Sequence, residues 1–382
     1  MKKILFLIFV FSGLVSCNNS ISISVTNPSD FDRLDMVELP VDQLMPLPAG
    51  KAYQVTNQQG EILTSQLTFD GKLIFQIIIK ANESVVYFVK TGVPVEFAPV
   101  TYGRFITERY DDFAWENDRV AFRIYGAALI PVDGPSNGLD LWYKRTSALI
   151  IDKWYKNDIA KVQSYHEDHG EGLDSYGVGR TLGAGMMAPF ADDSLYLNDN
   201  FVTHELFENG PLRTTFKLNY KNMTVTGRSF SESRTFSLDA GSQLTKITQE
   251  YGTVDTLTVA AGIVKRAVDD EPYTALTDKG SAAVVYEEPE NTTVGKVFVG
   301  MVFPKGLEQV KSDTYTLIHP KTKRTETHSH VLAVTTYYPN QPITYYTGFG
   351  WEKFGFLSLD DFRNHMIYIT KSLEEPLVIR YL

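Results

Sequence analysis

The chain has 382 residues, 43% of them hydrophobic, 13% aromatic and 21% charged, a globular composition that excludes collagen, coiled coil and extended disorder. Its formal charge of −10 excludes a protein that wraps nucleic acid, since such binding needs a basic face. The single cysteine, Cys17, excludes an internal disulfide and a cysteine zinc site, whereas 21 Tyr and 23 Phe favour β-sheet faces and flat apolar ligands such as sugars.

Lys2-Lys3 opens the chain and Ile4 to Val15 is an apolar run. That run is about half of the ~20 residues a bilayer span needs, so it reads as a secretory signal. It ends Leu14-Val15-Ser16-Cys17, which resembles a bacterial lipobox. The expected organisation is a signal peptide over 1–16, lipid attachment at Cys17, a tether over 17–30 rich in Asn and Ser, and one sandwich domain over 31–382. An acylated chain of this kind is an outer-membrane lipoprotein facing the periplasm or the cell exterior, touching the membrane through its lipid anchor only.

Period-two runs then recur along the chain. Ile62 to Thr68 and Leu73 to Ile79 flank the turn Asp70-Gly71. Val85 to Val89, Val120 to Tyr125, Thr214 to Tyr220 and Thr224 to Phe230 follow the same pattern. So do Arg234 to Leu238, Gln243 to Tyr251, Thr256 to Val259, Val294 to Val302, His330 to Thr336 and Leu377 to Tyr381. Such runs predict a mostly antiparallel β protein. Helical signals are few: a turn or two over Asp199 to Glu208, and a short amphipathic helix over Asp360 to Tyr368 after an Asp cap. No internal repeat and no low-complexity linker interrupts the series.

Polar chemistry concentrates in four places. Tyr165 to Tyr176 carries His166, His169 and the carboxylates Glu167, Asp168, Glu171 and Asp174 among glycines. Crowding of this kind forces pKa values apart. It suits acid and base work by His or Tyr. It also offers donors for a divalent metal, or forms a solvated acidic loop. Arg109 to Arg119 mixes Trp115 and Tyr110 with Asn117, Arg119, Glu116 and Asp118. Rings would stack on a sugar and Arg or Asn would hold its carboxylate; the alternative is a strand edge of mutually paired charges. In Trp142-Tyr143-Lys144-Arg145, strand alternation puts Trp142 and Lys144 on one face, either a carbohydrate surface or a half-buried strand. His328 and His330 likewise share a face. Nucleophile-elbow, Walker and dinucleotide motifs are absent from the sequence.

The stretches Asp111 to Gly126, Leu139 to Arg145, Tyr165 to Asp174 and Gly348 to Lys353 together resemble the domain-of-unknown-function family 4861 of Bacteroidota, across nearly all of the chain after the signal. The resemblance implies a galactose-mutarotase-like β-supersandwich and a place in polysaccharide use. It further implies a carbon–oxygen lyase, an oligosaccharide dehydratase acting on uronate-ended ulvan fragments. Such an enzyme neutralises the uronate carboxylate, takes the C5 proton with a base and protonates the departing C4 oxygen with an acid. The expected carboxylate holders are Arg119 and Asn117, with Arg123 as substitute and Lys144 beside them. His166 or His169 is the expected base and Tyr176 or Tyr165 the proton donor. His330 completes the site, and Trp115 and Trp142 stack on the sugar. The expected partner is an anionic oligosaccharide, and no cofactor is required, although a divalent metal is allowed. A polysaccharide lyase or a glycoside hydrolase would use carboxylate pairs such as Glu116 with Asp118 or Asp168 with Glu171. A non-catalytic glycan-binding lipoprotein is the third reading.

Overall fold

The structure is a computed structural model that describes residues 20–253, 255–266, 272–276 and 280–382. The apolar leader and Cys17 lie outside the described residues. Strands dominate, and among the described residues no helix is long and apolar enough to cross a membrane.

The described chain folds as two sandwiches, where an unbroken series of a dozen or more strands predicts one. In the smaller one a five-stranded sheet packs on a three-stranded sheet. Strands Ser20–Thr26, Ala52–Thr56, Ile62–Leu63, Ser84–Gly92 and Val378–Tyr381 form the first, and Arg33–Pro40, Ser65–Leu67 and Lys72–Ile79 the second. Alternation fills the core between them with Ile23, Val25, Val37, Leu39, Phe75 and Val89. Residues 20–26 are therefore a strand and not part of a tether. Ser-Ile-Ser-Ile-Ser-Val-Thr is itself a period-two run, and its Ile23 and Val25 are fully buried.

The larger unit is an antiparallel β-supersandwich of the galactose-mutarotase-like kind. Its front layer holds two five-stranded sheets and its back layer one eight-stranded sheet. The front sheets meet where Leu139 bridges Gly183. Gly183 has φ +60°, and a Cβ there would collide with the Leu139 backbone, so only glycine fits this seam. Phe122, Leu141, Tyr143, Met187, Phe216, Phe236 and Phe349 belong to one core shared by all three sheets. The longest hairpin, Gln309–Ile318 with Thr325–Tyr337, ends one front sheet and projects past it.

Two local expectations change. Thr203–Asn209, which overlaps the segment expected to be helical, is the edge strand of the eight-stranded sheet, paired with Arg213–Asn219. Pairing to a neighbour outweighs its weak helical pattern. The C-terminal helix runs from Leu359 to Glu374, longer than expected. It is capped by Ser358 in a capping box with Asp361. Its Phe362 and Met366 seal the outer surface of the eight-stranded sheet.

Candidate active site

Four neighbouring strands build the site: Asp112–Glu116, Ala121–Ile124, Asp140–Lys144 and Gly172–Asp174. Alternation sends Phe113, Trp115, Phe122, Leu141, Tyr143 and Leu173 into the shared core. It sends Ala114, Ala121 and Trp142 to the outer face, where Trp154, Tyr155 and Tyr165 cover them. These covering rings come from helix Ile151–Ile159 and the loop after it. Arg123, Asp140 and Asp174 share that outer face, because Arg123 is paired with Asp140 and Trp142 with Asp174 across the sheet.

Arg123 is the hub. Its Nε donates to Asp140 Oδ2 at 2.8 Å, and its Nη2 reaches Asp174 Oδ2 and Tyr125 Oη, each at 2.8 Å. Its Nη1 stands 3.5 Å from Tyr165 Oη, and its guanidinium lies 4.7 Å from the Tyr125 ring centre. Tyr125 Oη in turn donates to Asp140 Oδ2 at 3.1 Å. Burial pushes the Tyr125 phenol well above its ordinary range, with Arg123 opposing, so it keeps its proton at neutral pH. Burial also pushes the Asp140 carboxyl up; Arg123 pulls it down and nearby Asp174 pushes it further up.

His166 joins through Asp174. Its Nδ1 stands 3.0 Å from the Asp174 carbonyl oxygen, and half of its side chain is exposed. A carbonyl only accepts, so the neutral ring carries its proton on Nδ1 and has Nε2 as its acceptor. Arg109 lies 5.1 Å from the Tyr165 ring centre. It is only loosely held by acids, with Asp158 at 3.8 Å and Asp112 at 3.9 Å. Its Nε has no hydrogen-bond partner among the described residues.

Tyr125 and Arg109 open onto a cleft of about 720 Å³ between this cluster and the tip of the long hairpin. Arg180, His319 and Lys321 also line it, against Asp133 and Glu326. A cation-rich cleft in an acidic chain is suited to an anionic ligand.

The structure brings together His166, Tyr165 and Arg123 from the expected set, and not the others. Trp115 is wholly buried, its Nε1 donating to Thr245 Oγ1 at 3.2 Å, so its ring packs the core and is closed to a sugar. Trp142 is also fully buried, stacked between Trp154 and Tyr165. Asn117 locks a turn: its Nδ2 donates to the Asp239 and Ser242 carbonyls, and its Oδ1 accepts from Arg119 and Val120 N–H. Arg119 is half-exposed beside Asp118. It lies six residues from Tyr125 at the other end of the strand, about 20 Å in extended backbone.

Lys144 forms a buried ion pair with Glu116 at 2.7 Å. Glu116 Oε1 also accepts from Ile150 and Ile151 N–H, capping the covering helix from a neighbouring strand. His169 sits 3.9 Å from Glu167 on an exposed loop. Tyr176 is buried with Arg266 4.8 Å from its ring centre. His330 is fully buried; its Nε2 accepts from Leu182 N–H at 3.0 Å, and burial pushes its pKa down to about 3. A neutral, enclosed imidazole of that kind is a structural acceptor. The carboxylates considered for hydrolysis are engaged too: Asp118 with Gly241 N–H, Asp168 with Arg145, and Glu171 with Lys153. Among the described residues, no three of His, Cys, Asp or Glu are placed to hold a metal ion.

Tyr125 and Asp140 are not among the candidates the sequence offers, and Arg109 enters only as the first residue of the Arg109 to Arg119 cluster. Arg123 and Tyr125 are two apart in one strand and so share a face, which is the signal that would have joined them.

A two-layer supersandwich with a cationic cleft over a buried Arg–Asp–Tyr cluster defines the class. The chain belongs to the family described as Domain of unknown function (DUF4861), whose model matches residues 25–379. A relative of the same length class, Uncharacterized protein P7 of Formosa agariphila, is 30% identical over 92% of each chain. Among solved structures, an alpha-mannosidase from Enterococcus faecalis V583 superposes with a TM-score of 0.50 at 10% identity, which is a likeness of fold. The match covers 95% of this chain but only 46% of the mannosidase, so the protein spans about half the length of that neighbour.

Proposed function

We propose that the protein is a carbohydrate-active enzyme, a dehydratase that eliminates water across C4–C5 of a terminal uronic acid in an oligosaccharide. The observation that carries this reading is Tyr125: a protonated phenol at the wall of a cationic cleft, backed by Arg123 and Asp140.

The uronate carboxylate pairs with Arg109, whose loosely engaged guanidinium offsets charge that develops on the carboxylate as C5 loses its proton. His166 Nε2 takes the C5 proton. The electrons of that C–H bond form the C4–C5 double bond, and the C4–O bond breaks with its pair on oxygen. Tyr125 gives its proton to that oxygen, which leaves as water. Arg123 then stabilises the phenolate until it regains a proton from solvent, while His166 releases to solvent the proton it took. The product is conjugated with its carboxylate.

The leader and Cys17 fit an acylated outer-membrane protein facing the periplasm or the exterior, which acyl-chain labelling of the wild type against Cys17→Ser tests. For the reaction, the protein is incubated with uronate-ended oligosaccharides. Absorbance reports the new double bond and mass reports loss of water without chain cleavage. Chain cleavage to an unsaturated product would make it a lyase, cleavage with gain of water a hydrolase. Glycan binding with no product on any uronate would make it a binding protein.

A further inference from the structure

The strand Ser20–Thr26 brings the small sandwich close to Cys17. Only Asn18 and Asn19 separate Cys17 from Ser20, so at most about 11 Å of chain joins that cysteine to the sheet. A tether running to residue 30 would let the protein stand off a membrane; the strand removes that slack.

Several strand ends meet beside Ser20. Ser20 pairs with Lys90 near the end of Ser84–Gly92, and Gly92 pairs with Ala52 at the start of Ala52–Thr56. Val378–Tyr381 also finishes there, since Ile23 lies opposite Tyr381 and Leu382 N–H donates to the Ser22 carbonyl at 2.9 Å. Two loops are tied to the same end. Tyr53 Oη donates to the Met45 carbonyl at 2.7 Å, and Gln54 Nε2 to the Val93 carbonyl at 2.8 Å.

These segments turn apolar side chains outward. Leu47, Val93, Val95 and Tyr381 are exposed, Val93 to 68%. Pro46, Pro48 and Pro94 lie exposed between them, and proline has no backbone N–H that lipid would leave unmet. Charge is balanced: Lys51 and Lys90 face Glu96 and Asp42, and after burial the Asp42 charge helps push the Tyr381 phenol up. A single exposed apolar side chain is ordinary, but several on adjoining loops mark an interaction surface.

We propose that this face seats on the surface of a lipid bilayer, a reading that rests on the acylation of Cys17. An acyl chain enters the membrane through the headgroups, so an end of the protein held within about 11 Å of that point meets the interface. Leu47, Val93 and Val95 enter the headgroup boundary, and the Tyr381 ring lies at its edge with its hydroxyl in water. One acyl chain alone binds a membrane marginally, and an apolar face beside it supplies a second contact. That second contact also fixes how the small sandwich stands on the membrane, which a flexible anchor leaves free.

The full chain, expressed with its leader, is treated with a polarity-sensitive thiol fluorophore and reconstituted in phosphatidylcholine vesicles, as wild type, Val93→Cys and Ile78→Cys. Ile78 is 74% exposed but lies at the other end of the sandwich, next to Ile79, which pairs with Arg33 where strand Arg33–Pro40 begins. Wild type takes up no label, because its one cysteine carries lipid. The label on Val93→Cys shifts to the blue on reconstitution and is quenched when brominated phosphatidylcholine replaces the plain lipid, whereas the label on Ile78→Cys does neither. Adding Leu47→Asp and Val95→Asp to Val93→Cys removes most of the quenching although the chain to Cys17 is unchanged, which separates a seated face from mere nearness. Labelled wild type refutes the acylation and this face together. With wild type unlabelled, the acylation stands, and the proposal is overturned by quenching that does not differ between the two labels or that survives Leu47→Asp with Val95→Asp. A blue shift without quenching overturns it too, since a protein then covers the face.

Discussion

His330 gives a prediction whose size follows from the structure. Its imidazole is fully buried and accepts a hydrogen bond from Leu182 N–H; burial above all, then the neighbouring His328 and Arg266, hold it neutral with a pKa of about 3 against 6.5 in the unfolded chain. Below pH 6.5 the unfolded chain takes up a proton that the folded chain refuses. Stability therefore falls as pH drops, and the loss levels off below about pH 3. Each pH unit well below 6.5 corresponds to ~1.4 kcal/mol, so the fall from about pH 6.5 to 4.5 is about 2 kcal/mol from this group alone. His330→Gln keeps an acceptor for Leu182 and removes the titration. Urea unfolding followed by tryptophan fluorescence gives the difference in stability between wild type and variant at each pH. That difference is flat above about pH 6.5 and moves against the wild type below it. Parallel stability curves for the two proteins would refute the argument, because they would mean the imidazole is charged or hydrated in the fold.

Lys144→Met leaves Glu116 buried without its cation and costs about 3–5 kcal/mol, seen as a lower melting temperature; adding Glu116→Gln recovers part of it. Tyr125→Phe keeps the fold and lowers kcat by roughly 10²–10⁴, measured as the rate of double-bond formation on uronate-ended oligosaccharides. Arg109→Ala raises KM for those substrates by about tenfold or more, and raising ionic strength weakens wild-type binding more than it weakens the variant's. Chelator treatment leaves the wild-type rate unchanged, which a rate measured before and after dialysis against EDTA checks.

Strand alternation made most of the fold legible. Ala121-Phe122-Arg123-Ile124 shows why: in one short run Phe122 goes to the core and Arg123 to the site. The helix Ile151–Ile159 was not legible, because its N-terminal cap is a carboxylate 34 residues earlier, Glu116. That helix decided the fate of the aromatic residues. Trp142 stands on the outer face as alternation predicts, but the helix and its loop cover it, so a ring that looked like a sugar platform is interior. Asn117 and Lys144 have polar chemistry that suits a ligand, yet both spend it on backbone carbonyls and a buried carboxylate. The histidine cluster resolved in the same way. His166 and His169 are three apart in one loop, and only His166 is tied to the Arg123 network, through the Asp174 backbone.

Val378–Tyr381 pairs with Ser20–Thr26, so Ile23 lies opposite Tyr381. The small sandwich is thus completed by a strand about 350 residues after its first one. A chain made from its N-terminus cannot finish that sheet until the supersandwich between the two strands has been synthesised. Loop closure over such a span is slow, and the unpaired edge of the first strand stays open meanwhile.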